Sequence, residues 1–126
     1  MIPGILESIK TRILVVEDHG DTRRILMSML SRWGYEVSAA DSVASGLEFI
    51  RAKDFDVVLS DIGLPDGDGY DLVSAAKQIQ KFKAVALSAY GSTEDVLRGR
   101  AAGFDHHLTK PVDFHELRSV LSGAAV

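Results

Sequence analysis

The chain has 126 residues, 46% hydrophobic and 25% charged, with 14 basic against 18 acidic side chains for a net charge of −4. This is the size of one compact domain that buries a core without staples, and the lack of cysteine excludes a disulfide framework, a thiol nucleophile and a thiolate metal site. The acidic balance argues against a nucleic-acid-binding surface, and no apolar run approaches the roughly 20 residues of a membrane span.

In chain order, residues 1–11 stand apart. Ile2, Ile5, Leu6 and Ile9 fall at helical spacing behind Pro3-Gly4 and predict a leader or linker, without the cationic start and long apolar stretch of a signal peptide. A domain over 12–122 and a tail over 123–126 follow. Ile13-Leu14-Val15-Val16 is a short β-branched run fit for a strand covered on both faces. Thr22, Ile25, Leu26, Met29, Leu30 and Trp33 then recur at helical spacing up to Gly34, with Met27 off the stripe and exposed. Tyr35 to Ala39 reads as a second strand, and Ser42 caps a helix with Val43, Leu47 and Ile50 on one face.

Val57-Val58-Leu59 is the third strand, running into a Gly/Pro/Asp loop from Asp61 to Gly69. Asp68 caps a third helix marked by Leu72, Val73, Ala76 and Ile79, and Ala84 to Leu87 is a fourth strand. Ser92 and Asp95 resemble a capping box for a helix ending near Gly103. Phe104 to Thr109 is the fifth strand, and Asp113 with Glu116 caps a last helix bearing Leu117, Val120 and Leu121.

Five strand–helix pairs in strict alternation predict an α/β domain with a parallel sheet covered on both faces. In such folds the chemistry lies beyond the carboxyl ends of the strands. Glu17-Asp18 follow the first strand, Asp61 the third, Ser88 the fourth and Lys110 the fifth. Neighbouring strands lie about 4.8 Å apart, so these carboxylates converge. They repel one another and call for a cation; oxygen donors without His or Cys suit a hard one, and partial ligation with retained water suits Mg²⁺. Lys110 adds a second positive charge and Ser88 a hydroxyl donor. An Asp so flanked is arranged to attack a phosphoryl group and become an acyl phosphate.

Other signals carry less. His106 and His107 adjoin on a strand, point to opposite faces and do not easily share a metal. His19 and His115 read as surface residues rather than ligands. Asp66-Gly67-Asp68-Gly69 lacks the full ligand pattern and terminal Glu of a calcium loop and reads as a tight turn.

Four stretches together carry a family resemblance: Ile13 to Asp18; Asp56 through Asp61-Ile62-Gly63-Leu64-Pro65 to Gly69; Leu87-Ser88-Ala89; and Leu108-Thr109-Lys110-Pro111. Over residues 11–122 the chain resembles the receiver domain of two-component response regulators. The resemblance implies a flavodoxin-like (βα)5 fold, strand order 2-1-3-4-5. It implies that Asp61 is the phosphoacceptor in a phosphorelay, loaded from the phosphohistidine of a histidine kinase or histidine phosphotransfer domain. Glu17, Asp18, Asp61 and the Gly63 backbone carbonyl would hold Mg²⁺, while Ser88 and Lys110 would bind the phosphoryl oxygens. A cis Lys110–Pro111 bond would aim the lysine inward.

Where this sequence departs from the family pattern, the departures are modest. Glu17 is one methylene longer than the Asp also common at its position, which leaves room for a water between it and the metal. Gly63 and Tyr90 stand at the two positions that tune phosphoryl lifetime, Gly63 leaving one side open and Tyr90 partly covering the other. His107 takes the place of the switch aromatic, following Ser88 inward upon phosphorylation. It reads as a smaller ring in the same slot, with a pH-sensitive switch as the alternative. The resemblance also places partner docking on Thr22, Ile25, Pro111 and Phe114, and a phosphorylation-dependent dimer on the face of the fourth helix, fifth strand and fifth helix.

Rival readings are weaker. An Asp-nucleophile phosphatase of the haloacid-dehalogenase type needs a second Asp two residues after the first, where Gly63 stands. A flavin or nucleotide module needs a phosphate-cradling loop after the first strand, where Glu17-Asp18 would repel phosphate. A degenerate receiver serving only as an interaction module would not need Asp61, Ser88 and Lys110 together. The expectation is therefore a cytoplasmic signalling domain with no enzyme activity beyond self-phosphorylation and self-dephosphorylation. It fits a stand-alone regulator or the receiver of a hybrid sensor histidine kinase; its loop wording resembles the latter somewhat more.

Overall fold

In the computed structural model, residues 10–123 are described; residues 1–9, most of the expected leader, and 124–126 lie outside them. The strands are β1 (Arg12–Val16), β2 (Glu36–Ala40), β3 (Val57–Asp61), β4 (Gly63–Leu64), β5 (Gly67–Asp68), β6 (Lys83–Ser88) and β7 (His106–Thr109). The helices are α1 (Gly20–Arg32), α2 (Val43–Ala52), α3 (Gly69–Lys77), α4 (Thr93–Ala102) and α5 (Phe114–Leu121). Five strands form one parallel sheet in the order β2-β1-β3-β6-β7, the 2-1-3-4-5 arrangement of a flavodoxin-like (βα)5 fold.

The apolar runs behave as doubly covered strands because successive side chains face opposite layers. Ile13 and Val15 of β1, Val57 and Leu59 of β3, Val85 and Leu87 of β6 and Leu108 of β7 pack with Leu26 and Leu30 of α1 and Leu117 and Val120 of α5. On the other face, Leu14, Val16 and Val58 meet Ile50 of α2 and Leu72 and Ala76 of α3. Ala84 and Ala86 meet Tyr70, Val73 and Phe104.

The same alternation sets up the site. Glu17 is two residues beyond Val15, Asp61 two beyond Leu59 and Lys110 two beyond Leu108, so all three fall on the α1/α5 side, one step above the core. Register levels them: Val16 pairs with Ser60, Asp61 with Leu87 and Ser88 with Thr109. Three amides carry the ladder one rung further: Glu17 donates to Ala40 at 3.0 Å, Ile62 to Leu87 at 3.2 Å and Lys110 to Ser88 at 2.7 Å.

The expected caps are present. Ser42 and Ser45 form a capping box on α2, Asp68 accepts from the Asp71 amide, Ser92 from Asp95, and Asp113 from both His115 and Glu116. Gly34 and Gly103 end α1 and α4 at φ 94° and 115°, the left-handed region that glycine tolerates.

Four sequence expectations need correction. Helix α3 stops at Lys77, and Ile79 is 46% exposed. Beyond the helix Gln80 takes over: its amide nitrogen donates to the Ile50 and Lys53 carbonyls at 2.9 and 2.8 Å, and its oxygen accepts from Phe55. Strand β7 begins at His106 rather than Phe104, because the Phe104 amide closes α4 on Gly99 and Phe104 itself fills the core. Ile25 does not belong to the buried stripe of α1; it is 53% exposed, while Met27 is half-buried. The loop after Asp61 contains an antiparallel pair, β4 with β5. Asp66 in its turn accepts from the Val43 and Ala44 amides at 2.7 and 3.0 Å, which ties the loop to the start of α2 and holds its carboxyl below the usual range.

The return of this loop requires Gly69. A Cβ there would overlap the carbonyl oxygen of Asp61 and press on the Ile62 Cα, whereas a Cβ at Gly63 meets nothing within 4 Å. Gly69→Ala is expected to lower stability by about 1–3 kcal/mol, because backbone must shift to make room. Gly63→Ala is expected to leave it unchanged or slightly raised. Urea unfolding of both variants checks the contrast; equal effects would contradict it.

Candidate functional site

Glu17, Asp61 and Ser88 are buried at the carboxyl ends of their strands, with Glu17 at 0% exposure. The Lys110 ammonium reaches back from β7 to donate to Asp61 Oδ2 at 2.9 Å and Glu17 Oε1 at 3.3 Å. The Lys110–Pro111 bond is cis. Arg23 of α1 donates to the Glu17 carbonyl at 2.9 Å and so fastens the β1–α1 loop. Above the pair opens a cleft of about 370 Å³, walled by Asp18, Asp61, Gly63, Ser88, Tyr90 and Lys110, with His19 at its edge.

Two carboxylates share one ammonium here, and the charges do not balance. Burial, and then the neighbouring Asp61, push the Glu17 carboxyl up to about 7, with Lys110 pulling the other way. Burial also acts to raise Asp61, but Glu17, Lys110 and the Ile62 amide outweigh it and hold Asp61 below the usual carboxylate range. Burial works against the charge on Lys110 too; the two carboxylates overcome it and raise its pKa. The lysine stays charged, Asp61 stays ionised, and Glu17 is the group that gives way.

These residues fit a divalent cation. Glu17 Oε2 is buried with no hydrogen-bond partner among the described residues, an acceptor left over after Lys110 has taken Oε1. A buried oxygen of this kind costs free energy unless something positive meets it. With Asp18 at the mouth and Asp61 beside it, the donors are hard oxygens suited to a hydrated ion. Donor atoms of Glu17, Asp18 and His19 lie within 4.8 Å of one another.

A second set of contacts leads away from the cleft. Ser88 Oγ accepts from the Tyr90 amide at 3.0 Å, and the Tyr90 carbonyl lies 2.8 Å from His107 Nε2. A carbonyl only accepts, so Nε2 carries the proton; His107 Nδ1 is then a buried acceptor without a partner among the described residues. The Tyr90 side chain itself is 73% exposed. Thr22, Ile25, Pro111 and Phe114 meet in a separate groove of about 280 Å³ between α1 and the β7–α5 loop.

The structure thus brings Glu17, Asp61 and Lys110 into contact, gathers Asp18, Gly63, Ser88 and Tyr90 around them, and connects His107 through a backbone carbonyl. Sequence reasoning passed over Arg23 and Gly69, and read His19, which is exposed at the edge of the cleft, as a surface residue. Arg23 follows Glu17 by six residues and His19 by four, a helical spacing that was open to inspection. Gly69 directly follows a capping Asp, where a helix-forming residue is ordinarily better.

Comparison with known proteins gives one consistent family. The response regulator receiver domain family matches residues 13–122. The response regulator protein PilR of Pseudomonas aeruginosa is 35% identical over 116 residues, which span 91% of this chain and 26% of PilR. An uncharacterised 14.6 kDa protein of Leptolyngbya boryana is 36% identical, with 83% of this chain and 82% of that one covered. Among solved structures, a CheY-like response regulator receiver domain protein from Methanospirillum hungatei superposes with a TM-score of 0.86 at 30% identity, covering 92% of this chain and 94% of that one. The chain spans about a quarter of PilR but most of the other two.

The raised Glu17 carboxyl has a measurable consequence. Its folded value of about 7 lies above its ordinary 4.5, so the folded state binds the extra proton. The stability this contributes is full below pH 4.5 and is lost as pH rises through 7. In the presence of a chelator, Glu17→Gln is expected to gain on the native chain between pH 5 and pH 8 by on the order of 1–2 kcal/mol. Urea unfolding at the two pH values measures it, and an unchanged gap would contradict the assignment.

Proposed function

The chain belongs to the response regulator receiver domain family, and on that premise we propose that Asp61 accepts a phosphoryl group from the phosphohistidine of a histidine kinase or histidine phosphotransfer domain. The observation that carries this reading is the Lys110 ammonium held 2.9 Å from an ionised, buried Asp61. An ionised carboxylate in a cleft open to a donor is a competent nucleophile. An Asp61 oxygen attacks phosphorus as the P–N bond of the phosphohistidine breaks. The departing imidazole nitrogen keeps the bonding pair and takes up a proton from solvent.

Each neighbour then has a task. Lys110 follows the charge from the carboxylate to the phosphoryl oxygens, and Ser88 donates its hydroxyl hydrogen to another of them while still accepting from Tyr90. Glu17, Asp18, Asp61 and the Gly63 carbonyl would hold Mg²⁺, which when bound supplies positive charge beside the transferring oxygens. Gly63 leaves its side of the cleft open, so a bulkier residue there is expected to slow hydrolysis of the acyl phosphate.

The signal leaves through His107. Drawing Ser88 toward a phosphoryl oxygen pulls on the Tyr90 amide, and the Tyr90 carbonyl carries that movement to the His107 ring. The face that changes is α4–β7–α5, where a phosphorylation-dependent dimer or a downstream partner would form. The groove of Thr22, Ile25, Pro111 and Phe114 is where the phosphodonor protein docks, with exposed Ile25 as its apolar contact.

Incubation with Mg²⁺ and acetyl phosphate, followed by intact mass, tests the acceptor. One phosphoryl adduct is expected, absent in Asp61→Asn and without metal; an adduct persisting in that variant would overturn the assignment. Ile25→Asp is expected to slow loading from a histidine phosphotransfer domain at least several-fold while leaving loading from acetyl phosphate unchanged. Stopped-flow or gel-based transfer rates separate the two, and equal slowing of both would contradict the docking role.

A further inference from the structure

The oxygen donors of the cleft suit Mg²⁺, but the β1–α1 loop adds one donor that Mg²⁺ has little use for. One donor atom from each of Glu17, Asp18 and His19 lies within 4.8 Å of the others. His19 is the N-cap residue of α1, yet its side chain makes no cap hydrogen bond, and the residue is exposed. That position ordinarily goes to Ser, Thr, Asp or Asn, whose short oxygens satisfy the helix amides. An imidazole there gives the helix nothing of the kind and remains free to turn toward the carboxylates.

A second observation points independently to a ligand. The Glu17 side chain is 1% exposed, and its Oε2 is buried without a partner among the described residues, while Lys110 occupies Oε1. The site therefore contains one buried acceptor that no donor among the described residues satisfies, beside two exposed ligand-type side chains. Donor atoms about 2.0–2.2 Å from a common ion sit about 3–4 Å apart, and these three, within 4.8 Å of one another, stand close to that spacing.

We propose that His19 is a ligand in the cation site of this receiver and makes that site prefer a first-row transition ion, Mn²⁺ through Zn²⁺, over Mg²⁺. The inference rests on the reading of the Glu17–Asp18–Asp61 cleft as a cation site and adds to it the identity of the ion. Mg²⁺ takes oxygen ligands and retains water, so an imidazole contributes little to its binding. Mn²⁺, Co²⁺, Ni²⁺ and Zn²⁺ accept imidazole nitrogen with increasing strength along the series up to Ni²⁺, and two carboxylates with one imidazole form a mixed set that suits them. Loading of Asp61 then responds to which divalent ion is available as well as to the kinase.

Electron spin-echo modulation of Mn²⁺ bound to the whole chain, with calorimetric titrations of Ni²⁺ and Mg²⁺, tests this. Modulation from a directly coupled ¹⁴N is expected in the native protein and is lost in His19→Ala. The same variant is expected to lose about tenfold or more in Ni²⁺ affinity, with Mg²⁺ affinity changed by less than about twofold. His19→Asn, which restores a capping side chain, is expected to behave as His19→Ala; recovery of Ni²⁺ affinity in it would assign the loss to the helix start and overturn the inference. Mn²⁺ that Mg²⁺ displaces but that shows no ¹⁴N coupling would overturn the inference and leave the cation site standing. Coupling that survives in His19→Ala would overturn it as well, by assigning the nitrogen to another residue. Failure of both Ni²⁺ and Mg²⁺ to bind the native chain would overturn the cation site itself, and this inference with it.

Discussion

One ammonium shared between two buried carboxylates organises this molecule. Lys110 can reach Asp61 and Glu17 only because β1, β3 and β7 end at one level, with side chains of the same parity on the α1/α5 side. Taking three charged groups out of water is costly, and replacing such a cluster with apolar residues often leaves a protein equally or more stable. The arrangement is therefore explained by what it does. Asp61 stays ionised with the Lys110 ammonium beside it, and the imbalance is relieved at Glu17, whose carboxyl is pushed up to about 7.

The packing around this cluster divides the molecule into a densely buried part and a sparsely buried one. Strands β1 and β3 are buried almost without exception, and α3 buries five residues, Leu72 and Ala76 among them against these two strands. Helix α4 buries only Gly99 and exposes Leu97 at 61%. Few apolar contacts hold α4 in place, which is the property expected of an element that rearranges. The Ser88–Tyr90–His107 contacts run toward this loosely held side. The densely buried half holds Glu17, Asp61 and Lys110 in register, and on the proposed function the sparsely buried half is the one that responds.

Much of this was legible in residue pattern alone. The three apolar runs Ile13 to Val16, Val57 to Leu59 and Ala84 to Leu87 read as covered strands, and the polar residues following them had to gather at one end of the sheet. Asp61, Ser88 and Lys110 were therefore readable before any fold was known. What escaped was decided by partners distant in the chain. Ile79 had helical spacing, but Gln80 was needed to close the ends near Ile50, Lys53 and Phe55, 25 to 30 residues away. Asp66 read as a turn residue, yet its role is to hold the start of α2. The net charge of −4 was visible at once, but its significance lies in which negative charges are buried together.

The central claim is that Glu17 and Asp61 form a charge-imbalanced pair that a cation completes. A carbon-13 titration of the side-chain carboxyl groups by NMR, with and without saturating Mg²⁺, addresses it directly. In the metal-free protein Glu17 is expected to titrate at about 7 and Asp61 below the ordinary range. With Mg²⁺ bound the Glu17 transition is expected to move well below neutrality, because the ion favours the ionised form. A Glu17 carboxyl that titrates at its ordinary value and ignores Mg²⁺ would contradict the account.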